Sequence, residues 1–196
     1  MSIKGSKTTT GPMEWDTFVS LITRMEKNEE YKFCLLISIG VFTGLRISDL
    51  LSLKYSNLIS KDVLTLTEKK TKKVRTIKLN PDLTSLVERI FRKQNLTNIN
   101  QPIFINRFGT KVMDRSYVNV KLKELFSKNR IKIDGNISSH LFRKTLGRRV
   151  IELNNYSNES LVLLMELFGH SSMSITKRYL GIRQQEINDI YLSVSL

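Results

Sequence analysis

Two histidines, an arginine and a tyrosine lie within forty residues of one another near the C-terminus. His140 and Arg143 are three positions apart, which places both on one face of a helix. His170 follows a glycine and precedes Tyr179 by nine residues, across two serines and a short helical pattern. Two imidazoles, a guanidinium and a phenol, without thiolates or a carboxylate cluster, suit a phosphate better than a metal ion.

Serines precede the first of these histidines, at positions 138 and 139. Either serine would cap a helix that begins there, and the free N–H groups of its first turn would favour an anion. Each residue also has an ordinary explanation. A lone histidine is commonly a structural or surface residue, and a tyrosine after Lys-Arg commonly lies on an amphipathic surface. The combination, and not any single residue, therefore indicates a site.

A second arginine, Arg46, occupies a position that needs explanation. Gly44 is predicted to end one helix, and another starts near Arg46. A cation at a helix start is unfavourable because the helix dipole is positive there. An anionic ligand would justify it, and Asp49 is placed to hold the guanidinium. The alternative is a simple Arg46–Asp49 pair on the surface.

The composition favours a polyanionic partner. Lysine and arginine number 32 against 18 acidic residues, a net charge of +14 in 196 residues. Nucleic acid fits this charge better than a membrane, because the apolar runs are short and no basic amphipathic helix stands apart. The single cysteine, Cys34, lies in an apolar run and has no partner within the chain. This agrees with a reducing compartment, so we expect a cytoplasmic protein.

Hydrophobic periodicity predicts an α+β fold, mainly α-helical with a small antiparallel β-sheet. Residues 63–67 and 74–79 alternate with period two and flank the basic segment 68–73, as in a β-hairpin. The lysines of its tip also have a purely structural explanation, because lysines commonly protect edge strands from aggregation. Helices are expected from about Pro12, in the first turn, to Lys27 and from about Glu29 to Phe42. Others are expected after Asn80-Pro81 and after a cap at Asp114.

The order of these features resembles the catalytic domain of the tyrosine recombinases, the phage integrase family. The segments that carry the resemblance, over residues 13–192, are Thr43-Gly44-Leu45-Arg46 with Asp49, Lys70-Thr71, His140-Leu141-Phe142-Arg143, Phe168-Gly169-His170 and Tyr179-Leu180-Gly181. The resemblance implies that Tyr179 is the nucleophile. It assigns the phosphate-binding group to Arg46, Arg143, His140 and His170. Lys70 is then the hairpin lysine, and Asp49 supports Arg46.

The implied reaction is attack of Tyr179 on a DNA phosphodiester, leaving a 3′-phosphotyrosine and a 5′-hydroxyl that Lys70 protonates. A second 5′-hydroxyl reverses the step on a new partner, so no metal or other cofactor is needed. Double-stranded DNA is the expected partner. The resemblance further implies a homo-tetramer on paired sites, or a monomer in free solution. It also implies a nucleoid-associated protein that is encoded by a bacterium, a phage or a mobile element.

The resemblance also sets expectations for the ends of the chain. Residues 1–12 are polar and rich in Gly and Thr, so we expect a flexible leader or linker before a catalytic domain over 13–196. The segment at about 182–196 is expected to dock onto a neighbouring protomer. Two features depart from the family: no separate DNA-clamping domain fits within the chain, and Lys144 stands where histidine is common.

Two other functions share these features. A type IB topoisomerase would use the same chemistry to relax supercoils, and a non-catalytic DNA-binding regulator could retain the fold. The complete set of arginine, lysine, histidine and tyrosine argues against the regulator, because binding alone needs no phenol. A metal nuclease is disfavoured because no carboxylate cluster accompanies the histidines.

Overall fold

The computed structural model describes residues 10–182 and 191–194. Its helices and strands, in chain order, are α1 (Trp15–Lys27), α2 (Tyr31–Thr43), α3 (Ile47–Leu50), β1 (Val63–Thr67), β2 (Val74–Lys78), α4 (Pro81–Lys93), α5 (Arg115–Lys128), α6 (His140–Leu153), α7 (Asn158–Phe168) and α8 (Met173–Leu180). A short 3₁₀ turn, Tyr55–Asn57, precedes β1. The chain is thus mainly helical with one small sheet, which confirms the predicted fold class.

Side-chain caps begin several of the helices. The Asn80 side chain accepts a hydrogen bond from the Asp82 N–H, and Asp114 accepts one from the Tyr117 N–H, both at 2.8 Å. Both starts were predicted from the sequence. Ser139 is the cap residue of α6, but its side chain makes no capping bond. The Ser138 hydroxyl instead accepts a hydrogen bond from the N–H of His140, at 3.4 Å.

The predicted β-hairpin is present with its basic tip. β1 and β2 pair antiparallel, with Val63 opposite Lys78 and Thr67 opposite Val74. The backbone closes the tip through two bonds between Glu68 and Lys73 or Lys72, each 2.9 Å long. The Lys69 N–H donates to Asp49 of α3 at 2.9 Å, which places the lysine-rich tip beside that helix.

Two apolar clusters hold the domain together. The larger one centres on α2, whose residues from Cys34 to Val41 are all buried, and it includes residues of α1, α4, α5 and α6. A smaller cluster comprises Ile151, Leu161, Leu164, Phe168, Leu180 and Ile182, with Tyr179 packed against it. Helix α6 contributes to both clusters. Residues on α6 therefore lie where the C-terminal helices meet the rest of the domain.

Helices α2 and α6 pack closely at Gly40. A Cβ added there would lie 2.5 Å from the Phe142 ring. We expect Gly40→Ala to lower the free energy of unfolding by about 2 kcal/mol, because overpacking a rigid core outweighs the gain of up to ~1 kcal/mol in helix propensity. Urea denaturation measures the change. Ser85→Ala, on the exposed face of α4, is the matched control; an equally stable Gly40→Ala protein would contradict the close contact.

Part of the predicted leader lies against the domain. The Gly11 N–H donates to the Asp134 carbonyl at 2.6 Å, and Thr10 forms a bridge with Gly135. Met13 is buried, and its N–H donates to Thr145 on α6 at 3.0 Å. The rest of the leader, 1–9, and most of the predicted docking segment lie outside the described residues.

Candidate active site

One cleft of about 650 Å³ brings the candidate residues together. It lies between the hairpin tip, the start of α6 and the C-terminal helices. The candidate residues that line it are Arg46, Lys70, His140, Arg143, His170 and Tyr179. Of the seven candidates, Asp49 alone is absent from this lining.

The two arginines are held by a shared backbone carbonyl. Phe168 ends α7, and its carbonyl accepts from Nη2 of Arg46 at 3.3 Å and from Nη2 of Arg143 at 3.1 Å. The Arg143 Nη1 also donates to the Gly44 carbonyl, at 2.6 Å, where α2 ends. Helix C-termini carry partial negative charge, which compensates the buried Arg143 guanidinium. Both guanidinium groups line the cleft, where their positive charge can attract an anion.

A left-handed backbone places each of these carbonyls. Gly44 has φ 58° and Gly169 has φ 64°, and both are the residues at which a helix ends. Glycine adopts this conformation without strain. Gly44 also has no room for a side chain, since a Cβ would lie 2.7 Å from Leu146. The two glycines of the Gly-Leu-Arg and Gly-His segments therefore shape the arginine pocket.

The carboxylate that contacts Arg46 is Glu68, not Asp49. Nη1 of Arg46 lies 2.7 Å from Oε2 of Glu68. Oε1 of Glu68 lies 3.6 Å from Nη1 of Arg75, and the Thr71 hydroxyl donates to Oε2 at 2.6 Å. Burial raises the pKa of Glu68, but the hydrogen bonds from Thr71 and Arg46 and the two cationic charges outweigh it and lower that pKa. Glu68 is therefore ionised and orients Arg46.

Asp49 lies below the hairpin tip instead of beside Arg46. It is fully buried, and its Oδ1 accepts the N–H of Lys69 at 2.9 Å. This bond ties the tip of the hairpin to α3 and so fixes the backbone next to Lys70. The sequence suggested a surface ion pair between Arg46 and Asp49. Instead, Asp49 is buried and Arg46 pairs with Glu68.

Both histidines are neutral at pH 7. Burial lowers the pKa of His140, and the nearby Arg115 and Arg143 charges lower it further. The pKa of His170 is lowered by burial and by Arg143 and Arg46. A neutral imidazole has one N–H donor and one lone pair, so each ring can donate or accept a proton.

A hydrogen bond to Thr176 orients the His170 ring. Nδ1 of His170 lies 3.0 Å from the Thr176 hydroxyl, which also lies 3.4 Å from the Ser172 carbonyl, a group that only accepts. The hydroxyl therefore donates to Ser172 and accepts from His170. That pattern assigns the proton to Nδ1 and leaves the lone pair on Nε2.

Tyr179 stands among these rings with its hydroxyl buried. Its ring centroid is 5.1 Å from that of His170 and 5.5 Å from that of Phe168. The hydroxyl has no hydrogen-bond partner among the described residues. Burial raises the pKa of Tyr179, although the Arg143 charge lowers it in part. The hydroxyl therefore lies close to the Arg143 guanidinium, although no hydrogen bond of good geometry joins the two groups.

The hairpin tip supplies two lysines to the cleft. Lys69 and Lys70 both line it and are exposed, whereas Lys73 faces the groove between β2 and α7. The Lys70 charge also contributes to the lowered pKa of His140. The structure thus narrows the choice to two neighbouring lysines, and the Lys-Thr pairing in the sequence favours Lys70.

Two further charged residues, Arg115 and Glu68, belong to the site but were not predicted from the sequence, and Lys144, noted only as a departure from the family, contacts Tyr179. Arg115 lines the cleft directly after the Asp114 cap, the same unfavourable position for a cation that singled out Arg46. Glu68 begins the hairpin segment 68–73, which was interpreted from the sequence only as basic. Lys144 is buried on α6, with its Nζ 5.0 Å from the centre of the Tyr179 ring. No sequence signal marks the contacts of Glu68 or Lys144.

We expect Glu68→Gln to lower the free energy of unfolding at pH 7 by about 3 kcal/mol, since it leaves two arginines without their counter-charge. Because the pKa of Glu68 is lowered, its contribution to the free energy of unfolding is complete at pH values above the ordinary pKa of glutamate. That contribution is lost as the pH falls through the pKa of Glu68 in the folded state. The two proteins should therefore approach equal stability in acid. Denaturation in urea at several pH values measures this.

The control for this substitution is Glu124→Gln, which removes an exposed carboxylate paired only with Lys121. It should cost less than ~0.5 kcal/mol. Inorganic sulfate should stabilise Glu68→Gln more than the wild type, because the anion can replace the carboxylate beside Arg46. Equal losses in the two variants would contradict the role given to Glu68.

The described residues contain no group of three or more His, Cys, Asp or Glu side chains placed to bind a metal ion. Within the same part of the chain, no helix has the length and apolar character needed to cross a membrane.

Comparison with known proteins agrees with this geometry. The model of the phage integrase family matches residues 3–186. The chain belongs to the phage integrase family. It is 30% identical over 167 residues to the probable integrase/recombinase YoeC of Bacillus subtilis, covering 85% of this chain and 86% of YoeC. It is 26% identical over 160 residues to the tyrosine recombinase XerC of Leptospira interrogans, covering 80% of this chain and 48% of XerC.

The fold matches as well. A crystal structure of the XerH site-specific recombinase, bound to its palindromic difH substrate after cleavage, superposes with a TM-score of 0.67 at 18% identity. The match covers 92% of this chain and 52% of XerH. The chain therefore spans about half the length of XerC and XerH, with the fold of a tyrosine recombinase catalytic domain.

Proposed function

We propose that this chain is the catalytic domain of a site-specific DNA recombinase of the integrase type, with Tyr179 as its nucleophile. The observation that carries the proposal is the single cleft lined by Arg46, Arg143, His140, His170 and Tyr179. XerH, a relative in fold, is a site-specific recombinase that was crystallised with its DNA substrate. Double-stranded DNA is accordingly the proposed partner, and the net charge of +14 favours it.

In the proposed reaction the Tyr179 oxygen attacks phosphorus, forming the O–P bond as the bond to the 5′ oxygen breaks. The phenol proton passes to the lone pair on Nε2 of His170. Arg46 and Arg143 stabilise the negative charge that develops on the non-bridging oxygens, using rigid forked donors. Lys70 gives a proton to the departing 5′ oxygen. The phosphotyrosine retains the bond energy, so a second 5′-hydroxyl can reverse the steps.

The other groups act as supports. Glu68 orients Arg46, Asp49 anchors the backbone beside Lys70, and the Phe168 carbonyl aligns both arginines. We further propose a homo-tetramer on two paired DNA sites, formed from monomers in free solution, with the segment at about 182–196 reaching a neighbouring protomer. Integration, excision and inversion all follow from the same exchange of strands.

The decisive experiment incubates the chain with nicked duplexes whose sequence is randomised around the nick, so that cleavage releases a short strand and traps the intermediate. We expect a band that survives SDS and disappears on nuclease treatment, with a nucleotide on Tyr179 in mass spectra. Relaxation of supercoiled plasmid by isolated monomers would instead support the topoisomerase reading. DNA binding without any adduct would support the regulator.

A further inference from the structure

We propose that Lys144 is a positioning residue that holds the ring of Tyr179 through its ammonium group. Lys144 is 6% exposed, and its Nζ lies 5.0 Å from the centre of the Tyr179 ring. None of the ion pairs among the described residues includes it, and burial lowers its pKa. A buried cation is costly without compensation, and the electron-rich face of an aromatic ring provides it.

The neighbouring residue on α6 points elsewhere. Arg143 enters the cleft and bonds to backbone carbonyls, whereas Lys144 lines a second cavity of about 460 Å³. His140 and Tyr179 line both cavities, so the tyrosine ring forms part of the wall between them. On the cleft side, the rings of His170 and Phe168 contact Tyr179 edge-on. The second cavity leaves the ring room to move away from the cleft.

The helix that carries Tyr179 is short. Tyr179 lies on α8, which has eight residues and ends at Gly181 with φ 77°. The apolar cluster beneath it is the smaller of the two. Attack on phosphorus needs the oxygen within about 3.5 Å and in line, so even a small displacement of the ring slows the reaction. An ammonium group over the ring opposes that displacement.

Only the expected effect of Lys144 on the cleavage rate rests on the proposed function. The first measurement therefore uses no DNA. Tetranitromethane nitrates accessible tyrosine rings, and peptide mass spectrometry reports each site. In the wild type we expect slow nitration of Tyr179. In Lys144→Met, which keeps the length but not the charge, we expect nitration of Tyr179 about fivefold faster. Lys144→Arg, which restores the charge, should return it to the wild-type rate.

Two tyrosines provide internal controls in the same samples, and a separate lysine variant provides a control protein. Tyr55 is in the core and reports unfolding, whereas Tyr156 is 49% exposed and reports the reagent. Lys61→Met removes an exposed lysine and should change nothing. If Lys144→Met exposes Tyr55, the less drastic Lys144→Gln replaces it. Faster nitration of Tyr179 with Tyr55 protected supports the proposal. An unchanged rate at Tyr179, or an equal rise in Lys144→Arg, overturns it.

The second measurement is single-turnover cleavage of a trapped substrate by the same proteins. We expect Lys144→Met to lower the cleavage rate about tenfold, with DNA affinity within twofold of wild type, and Lys144→Arg to recover most of the loss. Equal cleavage by Lys144→Met and wild type contradicts the proposal. If the wild type forms no adduct, the proposed function fails, while the nitration rates still decide whether Lys144 holds the ring.

Discussion

Tyr179→Phe is expected to form no detectable covalent adduct with DNA, a loss of about 10³-fold or more, as follows when a nucleophile is removed. The substitution deletes one oxygen and leaves the ring contacts with His170 and Phe168 in place. DNA affinity should therefore remain within about twofold of wild type. Trapping on nicked duplex measures the adduct, and a filter-binding or anisotropy titration measures the affinity.

Stability provides an independent check on the same variant. The Tyr179 hydroxyl is buried close to the Arg143 guanidinium, so removing it relieves a desolvation cost but also loses that interaction. We expect the free energy of unfolding to change by no more than about 1 kcal/mol. Tyr156→Phe, at a tyrosine 49% exposed, is the matched control and should retain wild-type adduct formation. An adduct formed by Tyr179→Phe would show that another residue is the nucleophile.

Arg143→Lys is expected to lower the cleavage rate by about 10²- to 10³-fold, the scale of losing one oriented donor to a developing negative charge. Lysine keeps the positive charge but presents a single ammonium group. It cannot bond to the carbonyls of Gly44 and Phe168 and also present a fork to phosphate. Single-turnover kinetics at saturating DNA separates this loss from weaker binding, which should be smaller.

The control for this variant lies on the same helix. Arg149 is on α6 but places its guanidinium over the Trp15 ring, 4.9 Å from its centre and away from the cleft. Arg149→Lys should leave cleavage within about threefold of wild type. Arg143→Lys should also lower the free energy of unfolding by about 1–2 kcal/mol, because one of two buried carbonyls loses its donor. Unchanged cleavage by Arg143→Lys would remove this arginine from the proposed mechanism.

Local patterns were sufficient for most of the fold. Period-two alternation located both strands of the hairpin to within one residue, and the caps at Asn80 and Asp114 began the helices predicted there. Such signals depend on neighbours a few residues apart, and those neighbours are visible in a sequence. The helix starts at Trp15 and Tyr31, by contrast, lie three and two residues beyond the predicted ones, since no side-chain cap marks them.

The residue types of the site were also readable from the sequence. His140 and Arg143 share a helix face because of their spacing, and Gly44 marks a helix end because glycine accepts a positive φ. The resemblance then assigned roles to Arg46, Lys70, His170 and Tyr179. Their assembly in one cleft agrees with that assignment.

Only the tertiary structure decided which charges meet. Asp49, three residues from Arg46, was the natural partner by helix spacing, but Glu68 on the hairpin pairs with Arg46 instead. The packing of the hairpin against the end of α2, where Arg75 donates to the Thr43 carbonyl, brings Glu68 there. In the same way Lys144 is buried because α6 contacts both apolar clusters. Pairings of this kind depend on how separate elements pack, whereas sequence spacing describes only residues within one element.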